Sequence, residues 1–172
     1  MDMVAIVIAV VGLFVAALSF GWQIATWALS GRRVKVRLMH GVEGRGGFAV
    51  AAVGRGGIPR EMSSMRSQGW TGREVVALEV INVGRAIVTI KSYSVHAVGG
   101  GMSYTPHGDI VGPPLPFRLE PGESETWYSD MQDARALVRS LKVVGKSATR
   151  VRMAASLGTG KERRTRRSLR VV

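Results

Sequence analysis

Residues 3–31 contain no Lys, Arg, Asp or Glu. From Met3 to Leu18 the run is apolar on every face, and Trp22 and Trp27 follow before Gly31. Arg32, Arg33, Lys35 and Arg37 come immediately after. At about 1.5 Å per residue, such a segment as helix outreaches a hydrocarbon core of roughly 30 Å. A lone span in lipid must satisfy its own backbone hydrogen bonds, which leaves helix as its conformation. Residues 1–31 are therefore expected to form a transmembrane helix, with Trp22, Trp27, Arg32, Arg33 and Lys35 at the membrane interface. A signal peptide is the alternative, and Ala28-Leu29-Ser30 would serve as its cleavage site. Against it stand a long apolar run and the lack of a positive residue before that run.

Small residues recur along this segment. Ala17, Gly21 and Ala25 share one helical face, and Gly12 and Ala16 form a second close pair. Such spacing would let two helices approach in lipid, and the two readings are self-association through this face and a plain anchor, in which Ala and Gly are common anyway. Orientation follows from the flanks. The only charge before the span is Asp2, whereas all 24 Lys and Arg residues lie after it. The positive-inside rule then places residues 32–172 in the cytoplasm, on a single-pass protein of the cell membrane. The absence of cysteine fits either side.

Residues 32–172 have the length of one domain and alternate with period two. Strands are expected at 34–39, 48–53, 75–81, 87–95, 116–119, 123–128, 149–157 and 166–171. The pair 75–81 and 87–95 reads as a hairpin closed by Asn82 and Gly84. Ser129-Asp130-Met131-Gln132 has the form of a capping box with Ser129 as N-cap. Ala134, Leu137, Val138 and Leu141 follow at helical spacing, with Arg135, Arg139 and Lys142 on the outer face. The expected class is mainly β, a sandwich with one short helix. Two long loops, 54–72 and 99–116, carry Trp70 and Tyr104 as contact residues or lids.

Asn82-Val83-Gly84 after one hydrophobic strand and Leu119-Glu120-Pro121-Gly122-Glu123 before another form a pattern. It resembles the N-x-G … L-x-P-G-E pattern of bacterial immunoglobulin-like domains of the CARDB kind. The resemblance implies an immunoglobulin-like sandwich in which the N-x-G turn joins two core strands. It also implies that L-x-P-G-E leads into the next strand, and it implies no catalytic residues. The layout of one span and one β domain resembles small actinobacterial and phage-borne membrane proteins.

Nothing in the residues calls for catalysis, a metal or a cofactor. His40, His96 and His107 are scattered, and no cysteine joins them. Asp130 and Asp133 suit the first turn of a helix, whose dipole favours negative charge. Gly158-Thr159-Gly160-Lys161-Glu162 departs from a phosphate loop at Ala155 and Glu162 and reads as a hairpin turn. Gly44-Arg45-Gly46-Gly47 and Gly54-Arg55-Gly56-Gly57 likewise read as turns.

The C-terminal segment is more informative. From Lys146 to Arg170 nine basic residues face one acid, Glu162. Strand alternation turns Arg150, Arg152, Arg164, Arg166 and Arg170 outward, with Arg167 beside them. Such a face attracts anionic lipid, an acidic protein surface or nucleic acid. It lacks interleaved aromatics, which disfavours base stacking. The expected function is a membrane-anchored, non-enzymatic binding or scaffold module that holds a partner, or itself, at the inner leaflet. An exported immunoglobulin-like binding domain and a membrane-tethered nucleic-acid binder are the alternatives.

The charge step across the span makes topology testable. A C-terminal alkaline phosphatase fusion is expected to be inactive in intact cells. Activity would place the domain outside. Neutralising Arg32, Arg33, Lys35 and Arg37 should weaken the preference and alter domain stability by less than ~0.5 kcal/mol.

Overall fold

A computed structural model describes residues 3–29, 31, 33–59, 61–106 and 111–171. Helix α1 (Met3–Leu29) is long and apolar enough to cross a membrane. Its large side chains lie open: Phe14 is 67% exposed, Trp22 73% and Trp27 80%. Gly12, Ala16, Ala17, Gly21 and Ala25 are also exposed, and nothing approaches the Cβ positions of the two glycines within 4 Å. Among the described residues, none of this segment's side chains is buried in the rest of the fold.

The rest of the described chain is mainly β. It contains β1 (Val34–Gly44), β2 (Gly47–Ala52), α2 (Ser63–Ser67), β3 (Glu74–Asn82) and β4 (Val88–Ala97). Then come β5 (Ser103–Tyr104), β6 (Phe117–Leu119), β7 (Ser124–Asp130) and α3 (Met131–Val143). The last strands are β8 (Arg150–Leu157), β9 (Glu162–Arg164) and β10 (Leu169–Arg170). One sheet has the order β2-β1-β3-β7. The other has β10-β8-β4-β5, with β6 on β4 and β9 on β8. The two pack face to face. Leu78, Val80, Ile90, Trp127 and Val151 are fully buried between them. Trp127 is the largest of these side chains, and its Nε1–H donates to Pro113 O at 2.9 Å. That bond gives its one polar atom a partner, as a buried indole needs.

Three expectations are corrected. First, 75–81 and 87–95 are not a hairpin, because β3 and β4 belong to different sheets. The reason is Asn82, which is buried. Its Nδ2 donates to Ala86 O (2.9 Å) and Leu119 O (3.0 Å), and its Oδ1 accepts from Gly84 N–H (3.0 Å). Its backbone N–H donates to Glu123 O, and its C=O accepts from Gly122 N–H. An Asx turn this crowded with tertiary partners folds the chain across the sandwich instead of back along one sheet. Second, the N-cap of α3 is Asp130, whose Oδ1 accepts from Gln132 N–H at 2.8 Å. Ser129 is buried one residue earlier, bonded to the Tyr104 hydroxyl. Arg135, expected on the outer face, is half-buried against Glu74. Third, a second short helix, α2, interrupts the 54–72 loop.

The glycine turns divide. Gly44 and Gly47 pair at the tip of the β1–β2 hairpin, and the Trp70 ring packs on Gly44. Gly57, at φ +65°, docks on β10, where its C=O accepts from Arg170 N–H at 2.7 Å. A Cβ there would lie 2.2 Å from Ser168 O, so only glycine fits.

The two ends of the sandwich differ in their distance from α1. Four residues separate Leu29 from Val34, a reach of at most roughly 18 Å. Val83 N–H donates to Arg33 O at 2.9 Å, which fastens the start of β1 to the Asn82 turn. The end of the sandwich bearing residues 82–88, 119–124 and 157–162 is thus the end next to α1. Helix α3 and the 97–103 loop lie at the far end.

Replacing Asn82 with Ala leaves several buried groups without partners, each worth on the order of 1–3 kcal/mol. Denaturant unfolding of the full chain in neutral detergent should register a loss of about 3 kcal/mol. Val83→Ala, at an exposed neighbour, should stay within about 0.5 kcal/mol. Equal effects would remove Asn82 from its structural role.

Candidate anion-binding face

The outer face of the β10-β8-β4 sheet gathers most of the expected arginines. Arg150 and Arg170 sit directly opposite each other on β8 and β10. Arg152 lies across from His96 on β4, and Arg164 pairs with Ala154. Period-two alternation accounts for this arrangement, because Val151, Met153, Ala155 and Leu157 occupy the core side of β8. Arg166 is exposed in the bulge between β9 and β10. That bulge is held by Thr165, whose N–H donates to Met153 O and whose hydroxyl accepts from Met153 N–H. Arg167 turns elsewhere. Its Nη1 donates to Val53 O at 2.5 Å, tying this edge to the other sheet.

One acid moderates the face. Glu162 accepts from Arg164 Nε at 2.5 Å and lies 3.3 Å from His96 Nε2. The Arg164 bond, the largest cause, holds the Glu162 carboxyl below its ordinary value. Burial lowers the His96 pKa, so this ring is neutral at pH 7 and shares a hydrogen bond with Ser94 Oγ. Arg152 Nε is buried and, among the described residues, has no hydrogen-bond partner. A guanidinium N–H left without an acceptor is costly, and an incoming anion would supply one.

The residues expected at a membrane interface fall at the opposite end. Trp22 and Trp27 are exposed on α1, Arg33 and Lys35 are exposed where β1 begins, and Arg32 lies outside the described residues. Beside them is a cleft of about 670 Å³ between the start of β4 and the β8–β9 turn. Arg118, Lys161 and Arg163 line it, with Thr89 and the buried Val88 and Leu157. Arg118 and Lys161 are not among the site residues expected from sequence. The signal for the second lies in the alternation Lys161-Glu162-Arg163-Arg164: if Glu162 and Arg164 share the outer face, Lys161 and Arg163 do not.

A second concavity, of about 600 Å³, lies at the far end between β7 and α3. The stacked rings of Phe48 and Tyr128, centroids 4.1 Å apart, form one wall. Its polar groups already serve one another. Tyr93 donates to Tyr128 O at 2.7 Å, Tyr104 bonds Ser129, and Arg73 pairs with Glu43 and Asp130. Burial raises the Tyr104 pKa to about 12, so its hydroxyl stays protonated. Nearby, Glu74 joins His40 (2.8 Å) and Arg135 (2.6 Å) in a half-buried triad that pins α3 to β1 and β3. Its members lie 34 and 61 residues from Glu74, too far apart for any local pattern to join them. Among the described residues no three His, Asp or Glu side chains converge to hold a metal ion.

The chain matches no protein-family model, no curated protein and no solved structure.

The triad has a pH signature. The hydrogen bond from His40, then burial working against it and the Arg135 bond, leave the Glu74 pKa at about 2, against 4.5 for the free group. A depressed carboxyl stabilises the fold fully above its unfolded value and loses that contribution as pH falls through the folded one. The thermal midpoint of the full chain should therefore decline between pH 4.5 and about 2. Glu74→Gln should lower the neutral-pH midpoint and flatten this acid limb. An unchanged slope would assign acid sensitivity to other groups.

Proposed function

We propose that the protein is a membrane-anchored, non-enzymatic binding module. In this reading α1 crosses the bilayer with the C-terminal domain in the cytoplasm. The domain, an immunoglobulin-like sandwich, holds an acidic partner protein at the inner leaflet through the outer face of β8, β9 and β10.

The observation that carries this reading is the guanidinium cluster itself. Arg150 and Arg170 face each other across strands, a pairing that destabilises a sheet. Beside them, Arg152 keeps a buried N–H that has no acceptor among the described residues. Stability alone does not favour either feature, whereas a bound carboxylate surface relieves both. Arg150 and Arg170 lie at the end of β8 away from α1, which suits a protein approaching from solvent better than the leaflet itself.

The reading is tested on the full chain in neutral detergent, with polyglutamate as a stand-in for an acidic surface. Binding should weaken steeply with salt. Changing Arg150, Arg152, Arg164 and Arg170 to Gln should weaken it at least tenfold. The thermal midpoint should hold or rise, since a like-charge pair is removed. Undiminished binding by this variant would overturn the reading. Markedly tighter binding of a single-stranded oligonucleotide at matched charge would replace the acidic protein with nucleic acid.

A further inference from the structure

The cleft at the α1 end has different chemistry from the outer face. Arg118 reaches it from β6, and Lys161 and Arg163 reach it from the β8–β9 hairpin. Among the described residues no carboxylate lines it. The nearest acid in sequence, Glu162, points to the outer face, where Arg164 and His96 hold it. Among the described residues none of the three cations has an ion-pair partner. Thr89 adds a hydroxyl, and Val88 and Leu157 give the cleft an apolar floor. Gly158 N–H donates to Thr89 O at 2.8 Å, and a Cβ at Gly158 would lie 3.1 Å from the Thr89 Cβ. The turn and the start of β4 are thereby clamped together, so the walls of the cleft are fixed by backbone bonding.

Position supplies the second argument. The cleft opens beside Ile87 and Val88, directly after the Asn82 turn that is bonded to Arg33. It therefore lies at the end of the sandwich nearest α1. A volume of about 670 Å³ holds a phosphate with its glycerol carbons. Three cations matched to one phosphate and an apolar floor matched to the glycerol describe a lipid headgroup. Basic pockets facing the leaflet recognise headgroups in this way.

We propose that this cleft binds the phosphate headgroup of an anionic phospholipid from the leaflet in which α1 is anchored. The inference rests on the membrane-anchored reading but not on which leaflet the domain faces. It is separate from the outer-face arginines. Bound headgroup would orient the sandwich so that the β8–β10 face stands exposed to solvent rather than lying against the membrane.

The test is lipid retention by the full chain in a neutral detergent, read by native mass spectrometry. Phosphatidylglycerol and phosphatidylcholine are added at equal concentration. Wild type should retain one phosphatidylglycerol in preference to phosphatidylcholine. The triple variant Arg118→Gln, Lys161→Gln and Arg163→Gln should lose that preference by at least tenfold while keeping its thermal midpoint. Lys161→Arg, which keeps the charge, should retain it. The Arg150→Gln, Arg170→Gln pair should also retain it, because those residues are remote from the cleft. The triple variant keeps α1 and its flanking cations, so persistent retention by it would assign the lipid to the flank and overturn the proposal. Equal retention of both lipids would overturn it as well. Full displacement by millimolar glycerol phosphate or inorganic phosphate would make the ligand a soluble phosphate rather than a lipid, and so would also overturn it. Alkaline carbonate extraction of membranes holding the chain tests the anchor separately. Release there would sink the membrane-anchored reading, whatever the cleft retains in detergent.

Discussion

The buried amide of Asn82 is the constraint on which the arrangement depends. It makes three hydrogen bonds through its side chain and two through its backbone, to residues of its own turn and of the 119–123 segment. A primary amide in that position favours the arrangement in which all of them form, because each buried group left unpaired costs on the order of 1–3 kcal/mol. The chain between β3 and β4 therefore has one available path, across the sandwich. That path puts Ile90 and Val95 in one core with Leu78, Val80 and Trp127. It also fixes which end of the sandwich receives α1, since Val83 N–H binds Arg33 O. The two short motifs, Asn82-Val83-Gly84 and Leu119 to Glu123, meet at this point. Each supplies what the other lacks: Leu119 O and Glu123 O accept, and Gly122 N–H donates.

The parts of the fold legible in the sequence are those governed by period and composition. The uncharged run announces α1, a helix long and apolar enough to cross a membrane. Alternation announces nearly every long strand, and Val151, Met153, Ala155 and Leu157 fall on the core face where the period puts them. The illegible parts are those decided by a tertiary partner. Asn-x-Gly is a hairpin signal when its amide finds only local bonds, and it becomes a crossing when Leu119 O stands within reach. Ser129 and Asp130 are both good N-caps, and Tyr104 decides between them by binding the serine. Arg135 sits at a solvent-facing helical position and is drawn inward by Glu74, a residue 61 positions earlier. The candidate face follows from alternation. The cleft does not, because Arg118 is brought to Lys161 and Arg163 only by the pairing of β6 with β4.

The two basic regions differ in what their charge does to the fold. On the outer face cations crowd one another, and a single carboxylate is shared between Arg164 and His96. The resulting repulsion is modest at the surface, where a solvent of high dielectric reduces each pair to about 1 kcal/mol or less. The sandwich can carry it because the Trp127 core and the Asn82 clamp do not involve charge, and the Glu74 ion pairs lie elsewhere. At the cleft three cations line a concavity floored by apolar side chains. An anion there is partly withdrawn from water, where each contact is stronger than on an open face. The same residue type thus yields a broad, salt-sensitive surface on one side and a shaped site on the other.

With α1 in a bilayer, the short connection to β1 changes how weak such a site need be. A free domain must surrender translational and rotational freedom to meet a headgroup, a cost of several kcal/mol. The tether removes most of that cost in advance, because four residues keep the Asn82 end within roughly 18 Å of the helix terminus. The headgroups are then present at an effective concentration set by the linker rather than by bulk. Contacts worth about 1 kcal/mol apiece, as three cations near an anionic leaflet supply, suffice to bias orientation under those conditions. They would not hold the domain on a membrane alone. In the proposed reading orientation serves the outer face: with the cleft turned toward lipid, Arg150 and Arg170 point away from it, and the most crowded part of the arginine cluster is presented to solvent.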